Sequence, residues 1–119
     1  MPAGYIIAES IRSGSQLEGC AFTLTRIERF TVDNATDDQP AVWTMIHFEF
    51  PEDQAASVAD ALADVLDKPG WYTNFDTHED EIVIFPGRVF RYPRGDQGSR
   101  AEAEAYARTI GIPGRQLDW

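Results

Sequence analysis

Residues 42–92 decide the fold, and they read VWTMIHFEFPEDQAASVADALADVLDKPGWYTNFDTHEDEIVIFPGRVFRY. Over residues 42–50, apolar side chains recur at every second position, which is typical of a strand with one buried face. Over residues 52–67 they recur at every third and fourth position, as on one side of an amphipathic helix. Two β-prone runs follow at 71–75 and 81–85, and the five polar residues between them suit a hairpin loop.

The predicted helix has signals at both ends. Pro51 suits the first helical turn, where a missing N–H costs nothing, and the acidic residues Glu52 and Asp53 suit the positive end of the helix dipole. Pro69 disfavours a helical conformation in the residue before it, and Gly70 accepts a positive φ. The helix is therefore expected to stop at about residue 67.

The flanking segments predict three more elements. Residues 5–8 form a candidate short strand, and residues 22–32 form a longer strand whose broken alternation indicates a bulge. Residues 33–40 are a polar connector, so this strand and the next are expected to pair antiparallel around a mobile tip. A second helix is predicted from the capping-box spacing of Ser99 and Glu102 and the apolar stripe that follows. It ends near Gly111, and Trp119 beyond it either folds back on the body or belongs to a frayed tail.

Together these elements predict an α+β fold in the order β-β-β-α-β-β-α. We expect a mainly antiparallel sheet of about four to five strands with both helices packed on one face. Such a two-layer sandwich is ferredoxin-like in general plan. The length of 119 residues and the 43% hydrophobic content suit one core, so residues 1–119 are expected to form a single α+β domain.

Composition excludes several classes of protein. The single cysteine, Cys20, excludes an intramolecular disulfide framework and a cysteine-rich zinc site. No apolar run approaches the roughly 20 residues of a membrane helix, and the N-terminus lacks a signal-peptide pattern, so a cytoplasmic protein without membrane contact is expected. The formal net charge is -10, which opposes contact with a phosphate backbone. No nucleic-acid partner is therefore expected.

The acidic charge is uneven along the chain. Residues 33–81 carry thirteen acidic side chains and only one basic residue, Lys68, whereas residues 82–119 carry six arginines and four acids. Three of the arginines, Arg88, Arg91 and Arg94, precede the second predicted helix. With Ser99 at the helix start, they make a candidate binding site for a small anionic ligand, and Ser99 is one of the proposed ligand contacts. The alternative is that these arginines pair with the acidic middle of the chain.

His47 is the strongest catalytic candidate. It shares a strand face with Trp43, and a histidine in an aromatic cleft can act as an acid or base near neutral pH. Arg91 or Tyr92 would then polarise a substrate oxygen, which makes Tyr92 a second catalytic candidate. The alternative is a structural histidine hydrogen-bonded within the sheet. Two histidines cannot build a histidine-rich metal site, so neither a metal nor a cofactor is expected.

The helix-free face of the predicted sheet is the candidate interface. Trp43, Met45, Tyr72 and Val83 are too apolar to lie together in water, and Trp43 is also a candidate ligand contact. An exposed patch of this kind is typical of dimerisation or of a ligand cleft.

Three functional hypotheses follow. The first is a small, soluble, acidic binding or regulatory module that uses the helix-free face for a protein partner or for a second copy of itself. The second is a small enzyme or ligand-binding protein that takes an anionic substrate between His47 and the arginines Arg88, Arg91 and Arg94. The third is an acidic inhibitor or DNA mimic that acts through the helix of residues 52–67 and the loop of residues 33–38.

Overall fold

The computed structural model describes all 119 residues and contains six strands and two α-helices. The strands are β1 (Ala3–Ile7), β2 (Thr23–Thr31), β3 (Val42–Glu49), β4 (Thr73–Asp76), β5 (Asp80–Phe85) and β6 (Arg88–Pro93). The helices are α1 (Ala55–Val65) and α2 (Gln97–Thr109). The α+β class and the antiparallel pairing are confirmed. The predicted four to five strands are too few, because the chain turns back at Pro86 and Gly87 and adds β6.

The strands form two sheets with the orders β1-β3-β2 and β4-β5-β6, and every pair within them is antiparallel. β1 lies beside β4, where the Thr73 hydroxyl donates a hydrogen bond to the Tyr5 carbonyl oxygen. The ferredoxin-like plan is not confirmed, because six strands in two sheets replace the predicted single sheet. The predicted bulge in β2 is confirmed by a register shift between Leu24 and Arg26.

Two apolar clusters hold the fold together. The larger one joins α1 to both sheets, and its fully buried members include Phe50, Leu62, Ile82 and Ile84. The smaller one lies under α2 and contains Val83, Phe85, Tyr92, Ala103, Ala107 and Ile112. Because successive residues of a strand point to opposite faces, α1 and α2 cover opposite faces of the second sheet. The prediction that both helices share one face is therefore wrong.

The composition of β5 explains why the two helices cover opposite faces of the second sheet. Its residues Ile82, Val83, Ile84 and Phe85 form an unbroken apolar run, and each side chain is at most 1% exposed. A strand of this composition is typical of burial on both faces, whereas a half-exposed strand alternates apolar and polar residues. A second covering helix on the other face satisfies that requirement.

The start of α2 also differs from its prediction. Asp96 is the N-cap residue, and its Oδ1 accepts a hydrogen bond from the Ser99 backbone N–H at 3.1 Å. The helix therefore begins at Gln97, and the predicted capping box from Ser99 to Glu102 is wrong. Aspartate is among the preferred N-cap residues, so Asp96 takes the capping role three positions before Ser99, the predicted cap. Neither α-helix combines the length and apolar character that a membrane crossing requires.

A carboxylate fastens the turn after β1 to β3. Glu9 Oε1 accepts a hydrogen bond from the Thr44 N–H at 2.6 Å, and Oε2 accepts one from the Thr44 hydroxyl at 2.9 Å. Burial alone raises the pKa of Glu9, but these hydrogen bonds and the nearby charge of Arg29 outweigh it and hold the pKa below its ordinary value of 4.5. The ionised form of Glu9 therefore stabilises the folded state.

This contact predicts a pH-dependent loss of stability in Glu9→Gln. At neutral pH the variant should lose about 1 kcal/mol of unfolding free energy, a figure at the low end for charged hydrogen bonds because solvent reaches this carboxylate. Because folding lowers the pKa of Glu9, the contribution of this carboxylate to stability is present above pH 4.5 and is lost as the pH falls through the pKa of the folded state. Urea unfolding at several pH values measures the difference, and the exposed Glu18→Gln is the control. A difference between wild type and Glu9→Gln that is constant with pH would contradict this assignment.

Candidate functional site

A cavity of about 230 Å³ lies between the first sheet and the C-terminal segment of the chain. Apolar and aromatic side chains make up most of its wall. The lining residues are Tyr5, Ile7, Phe30, Val32, Asn34, Gln39, Trp43, Met45, Gly70, Trp71, Tyr72, Gln116 and Asp118. Four other depressions, of about 260 to 540 Å³, are larger, but each of them is lined by at most two hydrophobic residues. The aromatic cavity is therefore the best-formed ligand site.

All three strands of the first sheet contribute to the floor of the aromatic cavity. Ile7 of β1 is paired with Met45 of β3, and Phe30 of β2 is paired with Trp43 of β3. Directly paired residues of antiparallel strands point to the same face, and so do residues two apart on one strand. The alternation of β3 thus brings these side chains, together with Tyr5, to one side of the sheet.

Two tryptophans form adjoining walls. The ring centroids of Trp43 and Trp71 are 5.2 Å apart with an interplanar angle of 59°. The Trp43 Nε1–H donates a hydrogen bond to the Pro40 carbonyl oxygen at 2.8 Å, which fixes the orientation of the indole. Trp71 is 6% exposed and belongs to the larger apolar cluster. Both rings are therefore held in place before any ligand arrives.

A buried pair of glutamines closes one end of the cavity. Gln116 Nε2 donates hydrogen bonds to Gln39 Oε1 at 3.0 Å and to the Asn34 carbonyl oxygen at 2.7 Å. Gln39 Nε2 donates to the Gly70 carbonyl oxygen at 3.1 Å. These bonds tie the connector between β2 and β3 to the segment before β4 and to the C-terminal segment. The connector is therefore not the free tip that its polar composition predicted.

The charged group at the cavity is Asp118. The Tyr72 hydroxyl donates a hydrogen bond to Asp118 Oδ1 at 2.6 Å and also contacts the Gln116 carbonyl oxygen. Burial raises the pKa of Tyr72 well above its ordinary value, and burial followed by the charge of Asp118 raises the pKa of Tyr5. Both phenols therefore remain protonated near neutral pH. No lysine or arginine lines the cavity, so Asp118 makes its wall acidic.

His47 lies next to this cavity but does not line it. Its ring packs against Tyr5 with centroids 5.9 Å apart. Its Nε2 lies 3.0 Å from Glu28 Oε1 and 3.2 Å from Arg26 Nη2, on the neighbouring strand. This is the environment of the alternative reading, a histidine hydrogen-bonded within the sheet.

Tyr92, the second catalytic candidate, lies far from His47. Tyr92 lies in β6, at the outer edge of the second sheet, whereas His47 lies in the central strand of the first sheet, so β1, β4 and β5 lie between them. Tyr92 is 4% exposed, and its hydroxyl oxygen accepts a hydrogen bond from Trp119 Nε1 at 2.8 Å. Burial and the neighbouring Glu81 raise the pKa of Tyr92 to about 12. The predicted pairing of Tyr92 with His47 is therefore wrong, and Trp119 folds back on the body.

The predicted anion site is not assembled. Arg91 Nε donates to Asp80 Oδ2 at 2.7 Å, which confirms for this residue the alternative that arginines pair with the acidic middle of the chain. Arg88 is on the opposite face of β6, where its guanidinium lies 4.6 Å from the ring centroid of Phe90 and 5.1 Å from that of Tyr106. Side chains on opposite faces cannot converge on one ligand.

The other two residues of the predicted anion site, Ser99 and Arg94, do not form such a site either. The Ser99 hydroxyl donates to Asp96 Oδ2 at 2.9 Å, so its hydrogen-bonding capacity serves the helix cap. Arg94 is exposed at the end of the second hairpin, and its backbone N–H donates to the Glu79 carbonyl oxygen at 2.9 Å. The anionic ligand predicted for this segment therefore has no formed site there.

Three of the four predicted interface residues, Trp43, Met45 and Tyr72, do come together, but as the wall of the cavity. The fourth assignment is wrong, because Val83 is fully buried beneath α2. Sequence reasoning missed five important contributors to the cavity, which are Tyr5, Phe30, Gln39, Gln116 and Asp118. Tyr5 and Phe30 carried a signal, since each lies in a predicted strand. The two glutamines and Asp118 carried none, because they lie in irregular segments.

Comparison with protein-family models, with curated proteins and with solved structures finds no match to this chain. Its function is therefore inferred from the chemistry of the cavity itself.

The glutamine pair predicts a measurable coupling. Gln116→Ala leaves the Asn34 carbonyl oxygen without its donor and should cost about 1–3 kcal/mol of unfolding free energy. Gln39→Ala should cost a similar amount. Because the two side chains share hydrogen bonds, the double variant should fall short of the sum of the single effects by about 1 kcal/mol. Urea unfolding of all four proteins gives this coupling, with exposed Gln16→Ala as the control. Strict additivity would show that the pair does not act as a unit.

Proposed function

We propose that this protein binds a small organic cation, such as an alkylated ammonium, in the aromatic cavity. The observation that carries the proposal is the composition of the wall. Five aromatic side chains and one carboxylate line it, and no basic residue does. The aromatic lining residues are Tyr5, Phe30, Trp43, Trp71 and Tyr72.

Aromatic walls suit a cation for an electrostatic reason. The face of each ring carries the negative part of a quadrupole, which attracts a positive charge within about 6 Å of the ring centroid. The attraction grows from about 0.5–1 kcal/mol at exposed sites to about 2 kcal/mol when the cation is desolvated. Trp43 and Trp71 supply the two strongest such rings. Alkyl groups on the nitrogen would also bury apolar surface against Ile7 and Met45.

The charges around the cavity favour the same ligand. Asp118 supplies a carboxylate at the wall, where one oxygen is engaged by Tyr72 and the other has no hydrogen bond to another residue. The formal net charge of -10 also concentrates cations near the protein. An anionic ligand would meet repulsion from both sources, so the cation replaces the anionic ligand suggested by the arginine-rich segment.

The size of the cavity limits the ligand. Its volume of about 230 Å³ lies below the roughly 300–1,000 Å³ of typical ligand pockets. The occupant is therefore smaller than a nucleotide or a drug-sized molecule. A quaternary ammonium with a short hydroxylated arm fits this description, because Asn34 and Asp118 add polar groups to the aromatic wall.

Binding suits this cavity better than catalysis does. The lining holds no serine, cysteine, histidine or lysine, and its one carboxylate, Asp118, accepts a hydrogen bond from Tyr72. Its two phenols, Tyr5 and Tyr72, have raised pKa values and are poor bases at neutral pH. The role of the site is therefore recognition.

Matched ligands test the charge requirement. Choline and its neutral isostere 3,3-dimethyl-1-butanol have the same shape and differ in one positive charge. We expect isothermal titration to give choline the higher affinity by about 5- to 30-fold, which corresponds to about 1–2 kcal/mol. Equal affinities for choline and the neutral isostere would reject the preference for a cation and leave only an apolar binding site. Preference for an anionic isostere, 3,3-dimethylbutyrate, would reverse the proposal, and failure of all three to bind would remove it.

Two variants assign the affinity to residues. Trp43→Leu keeps an apolar wall but removes one aromatic ring, and Asp118→Asn removes the carboxylate charge while keeping its size. Each should weaken choline binding about 3- to 30-fold, and Trp43→Leu should weaken the neutral isostere much less. Asp64→Asn on α1 is the control for net charge, because Asp64 is exposed and lies outside the aromatic cavity. If Asp64→Asn weakened choline binding as much as Asp118→Asn, the effect would come from the net charge of the protein and not from a carboxylate in the cavity wall.

A further inference from the structure

β2 is an unprotected edge of the first sheet. It pairs only with β3, so its outer backbone N–H and C=O groups have no partner strand. Two large apolar side chains on it face water, since Leu24 is 58% exposed and Ile27 is 56% exposed. An exposed edge with apolar side chains is the usual template for pairing with another strand.

The charges of β2 are complementary to those of a second copy in one register. Two antiparallel strands related by a two-fold axis at Ile27 place Arg26 of each copy opposite Glu28 of the other. Moving the axis by one residue would place Arg26 opposite Arg26, or Glu28 opposite Glu28. Opposite charges across a strand pair are favourable and like charges are unfavourable. The sequence of the edge therefore selects the axis at Ile27.

We propose that a second copy of this chain pairs with β2 in an antiparallel manner, with the two-fold axis at Ile27, and joins the two first sheets into one six-stranded sheet. In the single chain Arg26 Nη2 already lies 3.3 Å from Glu28 Oε1 of the same strand. The partner adds a second carboxylate to each arginine, so four side chains form a square of alternating charge. On the other face of the sheet, the two Ile27 side chains meet and shield each other from water.

The bulge limits how far this pairing extends. The register of β2 shifts between Leu24 and Arg26, so Thr25 is an extra residue in the strand. Bulges bend a strand and interrupt a regular ladder. The new ladder is therefore short, with Ile27 at its centre and residues 26–28 of the two copies paired. Because each copy uses its β2 edge once around a two-fold axis, the assembly closes as a dimer.

This surface does not depend on the cation site. Phe30 is the one residue of β2 in the cavity wall, together with Val32 just beyond the strand, whereas the charge pairing uses Arg26 and Glu28. The interface also replaces the predicted one at Trp43, Met45, Tyr72 and Val83, whose members are taken up by the cavity and by the core under α2.

Charge reversal tests the register. We expect the intact chain to show a monomer–dimer equilibrium in sedimentation over a concentration series. Arg26→Glu and Glu28→Arg each place like charges opposite one another across the axis and should raise the dimer dissociation constant at least about tenfold. The double variant exchanges the two charges and should restore dimerisation. Arg12→Glu is the control, because Arg12 is exposed and makes no salt bridge. Circular dichroism of each variant establishes that it is folded.

The remaining outcomes overturn the proposal. A chain that stays monomeric throughout the series has no such interface. A dimer that both single variants leave intact forms through another surface. Loss of the dimer in the single variants without recovery in the folded double variant shows that Arg26 and Glu28 do not face each other across the axis.

Discussion

The hydrogen-bonded pair of Gln39 and Gln116 is the interaction on which the cavity depends. It joins three segments that are far apart in sequence, which are the connector after β2, the segment before β4 and the C-terminal segment. A buried amide is costly unless its donors and acceptors are satisfied, so the pair is stable only when all three segments are in place. The same condition fixes the positions of Trp71, Tyr72 and Asp118 around the cavity.

The aromatic rings of the cavity wall are each held in position by their own contacts. The Trp43 indole is held by Pro40, Trp71 is packed into the larger core, and Tyr72 is engaged by Asp118 and packs edge-to-face against Trp119 with centroids 5.3 Å apart. Protein interiors are usually packed as densely as organic crystals. An aromatic space of this size, held by independent anchors, is therefore a preorganised site, and preorganisation lowers the cost of ordering the wall when a ligand binds.

The sequence predicted the local elements better than their assembly. Periodicity located β3, α1, β5 and the bulge of β2, because each depends on neighbouring residues. The placement of the helices on opposite faces was missed, although the unbroken apolar run Ile82–Phe85 indicates a strand covered on both sides. The cavity was only partly predictable. Trp43, Met45 and Tyr72 drew attention as apolar groups needing cover, whereas Gln39, Gln116 and Asp118 lie in irregular segments whose positions depend on long-range contacts that no local pattern encodes.

The proposed cation site is the aromatic cavity whose wall includes Trp43 and Trp71. The most direct measurement is the ¹H–¹⁵N spectrum of the three tryptophan indoles during a titration with choline. Trp43 and Trp71 line the cavity, whereas Trp119, which packs edge-to-face against Tyr72, does not. We expect the Trp43 and Trp71 resonances to move together and to saturate, with a much smaller movement of the Trp119 resonance. Unmoved Trp43 and Trp71 resonances at saturating choline, or a response confined to Trp119, would contradict it.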